Sequence, residues 1–190
     1  HMDMGKIRAL GLGYISEDRM EEGADLKGTL LENATSVIYR EPGFQKFGII
    51  SQRKTKEYTK EIIDEYNVKC NSYQEEIRNL SGGNMQKIVS AREISAATVL
   101  LVANQPTRGV DVAAVLAIHK KIQEIQKEGR AILLISSDLS EIYQLCENAI
   151  VLFGGKIVAR IANLSKHSEK EIGSYMLGLG KDNKKGNDPS

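Results

Sequence analysis

The sequence predicts an α/β fold in which a parallel sheet is covered by helices. From Leu80 onward, short apolar runs alternate with segments of helical period, the rhythm of β-α-β units. The runs Val99–Val102 and Ala131–Ile135 are branched-aliphatic and show no polar alternation, as strands buried on both faces do. Before Leu80 the chain is charged and helical in period, which predicts a separate helical segment.

In order, Leu10–Ser16 reads as a strand running into a loop at Glu17-Asp18-Arg19. Leu30, Leu31, Ala34, Val37 and Ile38 fall on one helical face, and Glu41-Pro42-Gly43-Phe44 breaks that helix. Ser51 opens a longer helix to about Tyr66, with Tyr58, Ile62, Ile63 and Tyr66 inward. A helix from about Gly83 to Ala96 follows, then the strand at Val99, a helix over Val112–Lys127 and the strand Ala131–Ile135. Next come a helix over Leu139–Cys146, a strand over Ala149–Phe153, and a Gly154-Gly155 turn into Lys156–Ile161. Ser168-Glu169-Lys170-Glu171 reads as a capping box opening a helix to about Leu177. Lys181 onward is charged and contains Gly, which predicts disorder. His1-Met2 reads as a cloning scar.

Composition narrows the classes. Of the 190 residues 41% are hydrophobic and 27% charged, enough for a packed core of ordinary solubility. A net charge of +1 gives no footprint for nucleic acid. The basic residues Arg53, Lys54, Lys56 and Lys60 alternate with Glu57, Glu61 and Asp64, the pattern of a solvated helix face. Cys70 and Cys146 stand apart without metal-type spacing, which suits a reducing compartment. No apolar run reaches the length of a membrane span. His119 and His167 read as structural.

The run Leu80-Ser81-Gly82-Gly83-Asn84-Met85-Gln86-Lys87 carries the chemistry. Ser81 offers a hydroxyl, and the two glycines clear the approach to the first N–H groups of a helix, which lack intrahelical acceptors and suit a phosphate. Downstream, the strand at Val99 ends in Asn104-Gln105-Pro106-Thr107, followed by Arg108-Gly109-Val110-Asp111. The strand at Ala131 ends in Ser136-Ser137-Asp138.

With these motifs in this order, the chain resembles the ATP-binding cassette (ABC) ATPases, which implies a P-loop NTPase core with a helical subdomain. LSGGN resembles their signature, the strand before Gln105-Pro106-Thr107 the Walker B strand, and Arg108–Asp111 the D-loop. Ser136-Ser137-Asp138 stands where the switch-histidine loop would be. Gly13–Arg19, LSGGNMQK, NQPTRGVDV and GGKIVARI resemble most the ATPase subunit of simple-sugar and nucleoside importers, over roughly Ile7 to Leu179. That subunit carries two tandem nucleotide-binding domains. The "QPTRG" form and a Glu in the Q-loop position point to the second domain and the nucleoside branch. The implied division is residues 1–16, a piece of catalytic core; 17–79, Q-loop and helical subdomain; 80–164, the core with its motifs; 165–180, a C-terminal helix; and 181–190, a tail.

The phosphate loop Gly-x4-Gly-Lys-Ser/Thr is absent from the sequence. Gly154-Gly155-Lys156 lacks the first Gly, and Gly23 to Gly28 continues into Thr29 without a Lys. Family order places that loop upstream of Tyr14, so a truncated core with an open sheet edge is expected. Such an edge could support an edge-paired or domain-swapped homodimer.

The resemblance also implies the site. Asn104 stands at the Mg²⁺-orienting Asp and Gln105 at the Glu that activates water. A neutral Asn supports a hard cation weakly, and losing a placed general base costs about 10²–10⁴ in rate. Ser137 stands at the switch His, and losing one preorganised donor costs about 2.7–4 kcal/mol. The domain's own site is therefore expected to be non-hydrolytic. The signature, intact, would serve in trans: Ser81, Gly82 and Gly83, with Asn84 and Gln86, closing on ATP held by the first nucleotide-binding domain, and Asp111 reporting across the interface. Glu17, at the Q-loop, and the segment Asp18–Glu41 would face the membrane subunit. ATP and Mg²⁺ are the implied cofactors. A transmembrane permease and, indirectly, a substrate-binding protein are the implied partners, with the chain cytoplasmic and peripheral on the membrane's inner face. Two other readings are a regulatory or scaffolding module without turnover, and a DNA-maintenance ABC ATPase. The second is disfavoured because no coiled-coil or DNA-binding insertion is present.

Overall fold

The computed structural model describes residues 4–39, 41 and 43–179, apart from the side chains of Met4 and Arg19. His1-Met2, Pro42, the Arg19 side chain and the tail from Lys181 therefore lie outside the described residues. Two compact units divide between Ile135 and Ser136.

In the first unit, α1 (Met4–Ala9) leads into β1 (Leu12–Ile15), followed by a π-helical turn over Arg19–Gly23. Then come α2 (Leu30–Thr35), a small hairpin of β2 (Gln45–Lys46) and β3 (Ile49–Ile50), and α3 (Gln52–Glu65). α4 (Gly82–Ala96), β4 (Leu100–Asn104), α5 (Val112–Lys127) and β5 (Ala131–Ile135) complete it. The predicted parallel sheet is present, in the order β1-β4-β5, with Leu12 beside Leu100 and Leu100 beside Ala131. On its outer side β5 has no partner strand among the described residues, and Leu133 and Ile135 are about half exposed there.

α4 is the hub of this unit. It packs against β1, α2, α3 and α5, and Met85, Ile88 and Ala91 join Leu30, Ala34, Ile62, Tyr66 and Ile77 in one core. β1 runs so close to α4 that a Cβ on Gly13 would lie 2.2 Å from the Glu93 carbonyl oxygen and 2.7 Å from the Ala97 Cβ. Only glycine permits that approach.

Two local expectations change. The helix expected to reach Ile38 ends at Thr35. The Thr35 hydroxyl donates to Leu31 O at 2.8 Å and Ser36 to Asn33 O at 3.0 Å, side-chain bonds that compete with helix propagation. Val37 and Ile38 follow in a turn, with Ile38 still buried. The second change concerns caps. A full capping box forms at Thr29 and Glu32. At Ser168 only half of the expected one forms: Ser168 caps Glu171 N, but the Glu171 carboxylate lies 3.1 Å from His167 Nδ1 instead. A ring nitrogen that can carry charge competes well for a carboxylate.

The second unit contains α6 (Leu139–Leu145), the antiparallel hairpin β6 (Ala149–Phe153) and β7 (Lys156–Ile161), and α7 (Glu169–Met176). Gly154 and Gly155 turn it at φ 56° and 75°. Val151, Ile161, Leu164 and Ile172 form its core.

Candidate functional site

Helix α4 starts as its sequence requires. Ser81 is the N-cap in extended conformation, and its oxygen accepts from Asn84 N at 3.4 Å and Asn84 Nδ2 at 2.9 Å. Asn84 Oδ1 accepts from Lys69 N at 2.9 Å. Asn84 thus ties the loop after α3 to the cap, while Gly82 and Gly83 begin the helix with no side chain in front of it. The dipole adds partial positive charge at this end.

Gln86 occupies another environment. It is buried, and its Nε2 donates to the Pro106 carbonyl at 2.8 Å. One turn into α4, position 86 lies on the inward face with Ser90 and Glu93, so the side chain braces the helix in this structure. It holds the turn after β4 against the signature helix.

That turn leads to Asp111, the N-cap of α5, whose Oδ1 accepts from Ala114 N at 2.9 Å. This bond, with the nearby Lys87 ammonium, holds the exposed Asp111 carboxyl below the usual carboxylate range. A Cβ on Gly83 would lie 2.9 Å from Asp111 Oδ2, so the turn before α5 touches the start of α4. Lys87 is buried and donates to Asn67 O at 3.0 Å, capping the left-handed turn (φ 48°) that ends α3.

The other named residues gather at the C-terminal end of β1 and β4. An open cleft of about 750 Å³ there is lined by Ser16, Glu17, Asp18, Glu22, Asn104 and Arg108, among others. Glu17 forms an ion pair with Arg108, joining the loop after β1 to the turn before α5. Ser16 donates to Glu22 at 2.8 Å, and Asp18 caps Met20 and Glu21 N–H. Gln105 follows β4 at φ 50°, with its N–H bonded to Ile135 O at 2.7 Å. Asn104 and Gln105 thus lie side by side at the end of β4, where the sequence placed them. Ser137, in the second unit, is exposed, between Ser136, which accepts from Asp138 N, and Asp138, the cap of α6.

The fit to Mg²⁺ is poor. Among the described residues, no group of three acidic, His or Cys side chains is arranged to hold a metal, and Asn104 brings no charge. Only small residues stand before the first turn of α4, where Ser81 Oγ accepts from Asn84 N.

Sequence reasoning missed one cluster. Glu93, fully buried, accepts from Arg8 at 2.8 and 3.2 Å, from Tyr14 N at 3.1 Å and from Arg92 at 3.1 Å. Arg92 also donates to Asn33 O at 3.2 Å and to Gly23 O. The rear of the signature helix is thereby wired to α1, β1 and the segment after the Q-loop. No local pattern marks this, because the partners lie up to 85 residues apart.

A parallel sheet with a Gly-started helix beside a D-loop turn defines the class, the ATP-binding cassette ATPases. The solved cassette MJ0796, in a dimeric post-hydrolysis state bound to ADP and Pi, superposes with a TM-score of 0.70, covering 86% of this chain and 68% of that one at 17% identity. No family model matches the chain. Its sequence is 35% identical to the nucleoside import ATP-binding protein NupA of Lactococcus lactis subsp. cremoris, over 91% of this chain and 34% of that protein. It is 36% identical to the guanosine import ATP-binding protein NupO of Bacillus subtilis, with the same coverage. The ribose import ATP-binding protein RbsA of Caldanaerobacter subterraneus is 36% identical over 84% of this chain and 32% of its own length. The chain belongs to the ABC family, among homologues that are ATP-binding proteins of nucleoside and ribose import. It spans about a third of the length of the relatives it matches.

Proposed function

We propose that this chain is part of the second nucleotide-binding domain of an ABC importer's ATP-binding subunit, taking up a nucleoside or simple sugar. Its signature closes on ATP held by the first domain, while its own site is non-hydrolytic. One observation carries the reading: Ser81, Gly82 and Gly83 present an open helix start, and Asp111 abuts it at Gly83. The cleft at Glu17 and Asn104 supports the second half, because neutral groups stand at both Walker B positions. When bound, ATP supplies the phosphoryl group that is hydrolysed. This chain's residues bind and orient it: the Gly82 and Gly83 N–H groups face its phosphates, Ser81 and Asn84 hold the loop, and Asp111 fixes the D-loop against them. Permease subunits are the partners of Glu17 and Asp18–Glu41, and the chain works peripherally at the membrane's inner face. Among the described residues, no helix is long and apolar enough to cross a membrane.

The test is ATP hydrolysis by this chain alone and after mixing with the separately expressed first domain. We expect no turnover alone and turnover on mixing, lost in Ser81→Arg. Turnover by the isolated chain, or mixed turnover indifferent to Ser81→Arg, would overturn the reading.

A further inference from the structure

The β2–β3 hairpin is built to expose what a chain normally hides. Phe47, at its tip, is 93% exposed and holds φ 54°, a left-handed conformation that costs a non-glycine residue strain. Ile49 and Ile50, on the returning strand, are 74% and 47% exposed. The base is nevertheless firmly seated. Phe44 packs edge-on against Tyr58 of α3 with centroids 5.6 Å apart, and Ser51 N donates to Phe44 O at 2.8 Å. The hairpin is therefore an anchored projection with an apolar tip.

Charge indicates what the tip meets. Between positions 41 and 60 stand Lys46, Arg53, Lys54, Lys56 and Lys60 against Glu41 and Glu57, a balance of +3 in a chain whose total is +1. The Lys46 ammonium lies 5.7 Å from the Phe47 ring centroid, so cation and aromatic travel together. An apolar tip with a cation beside it and basic residues in the first turns of the following helix matches the boundary between anionic headgroups and acyl chains. We propose that this hairpin docks on an anionic phospholipid surface, with Phe47 entering the interface and Lys46 and the start of α3 holding the headgroups.

The chain has no tryptophan, so Phe47→Trp makes the tip its own reporter. Titration at low salt with vesicles of phosphatidylcholine mixed with phosphatidylglycerol should shift the emission to the blue, saturably. Pure phosphatidylcholine vesicles should not. Lys46→Glu in that background should weaken binding about tenfold or more, since each basic residue at such a surface contributes about fivefold and reversal adds repulsion. In the otherwise unchanged chain, Phe47→Asp should abolish sedimentation with the anionic vesicles, and with the side chain exposed, its thermal unfolding should not move. No blue shift with the anionic vesicles overturns the proposal, as does an equal shift with the zwitterionic ones. Sedimentation undiminished in Phe47→Asp also overturns it, by placing contact on other exposed apolar faces such as that of β5. No nucleotide is needed, so failure of the composite-site reading leaves this test standing.

Discussion

The two ends of α4 carry polar groups under opposite constraints. At its start the bonds are few and local, with Ser81 exposed, Gly82 and Asn84 half-buried and Gly83 buried beside Asp111. At its rear, Glu93 and Arg92 are buried and bonded to three other segments. On the proposed function the start of α4 meets a ligand, and a helix used in that way has to be held from behind. The rear cluster supplies that hold, and its links to Tyr14 and Gly23 also lead to both sides of the Q-loop.

The sharpest way to break this contrast is Glu93→Ala. It leaves the Arg92 guanidinium buried and unpaired and the Tyr14 N–H without its acceptor, which costs about 3–5 kcal/mol. Chemical denaturation should show a loss of that size. A loss under about 1 kcal/mol, within the range of an exposed ion pair, would mean that water replaces the carboxylate and that the rear holds nothing.

Gly83→Ala probes the front. The new Cβ would lie 2.9 Å from Asp111 Oδ2, so the carboxylate must move. Helix propensity gains about 0.5–1 kcal/mol and offsets part of the disturbed cap, so stability should stay within about 1 kcal/mol of the parent. Turnover on mixing with the first domain should nevertheless fall at least about tenfold, as a 1 Å displacement at such a site can cost 10²-fold. Equal turnover would separate Asp111 from the signature.

Asp111 gives the contrast a pH signature. Its folded-state pKa lies below the ordinary carboxylate value, through the Ala114 N–H bond first and the Lys87 charge also. It therefore contributes stability that is fully present above the unfolded pKa of about 3.9 and lost as pH falls through the folded one. Thermal melts at acid pH should show a steeper decline for the parent than for Asp111→Asn. Parallel acid limbs would remove Asp111 from the linkage.

What could be read from sequence follows the same division. The bounds of α5, β5, β6 and β7 coincide with those expected, because Asp111 caps locally, Gly154-Gly155 turns locally, and apolar period needs no distant partner. The capped start of α4 was legible for the same reason, since Ser81 and the two glycines are consecutive residues. The bracing bond of Gln86 could not be read locally because its acceptor is a backbone carbonyl 20 residues on, and the Arg8–Glu93–Arg92 cluster has no local trace. The β2–β3 hairpin was missed because Phe47 takes a left-handed turn position where Asn or Gly is the usual signal. Helix α2 was drawn too long because apolar spacing does not register the Thr35 and Ser36 hydroxyls that end it.

The smallest expected effect is at the Glu17–Arg108 pair, and its smallness is informative. Both partners are well exposed, so the pair contributes only about 0–1 kcal/mol and is screened by salt. Arg108→Ala should leave the unfolding midpoint almost unchanged. Yet the pair connects the loop after β1 to the turn that ends in Asp111, and on the proposed function a weak contact there can break and reform as the two loops work. A charge swap separates coupling from packing. In the assembled composite site, Glu17→Arg and Arg108→Glu should each lower turnover, and the double exchange should restore part of it. Additive losses in the double variant would show that the two residues act independently, and the cleft would then be a remnant rather than a lever on the signature.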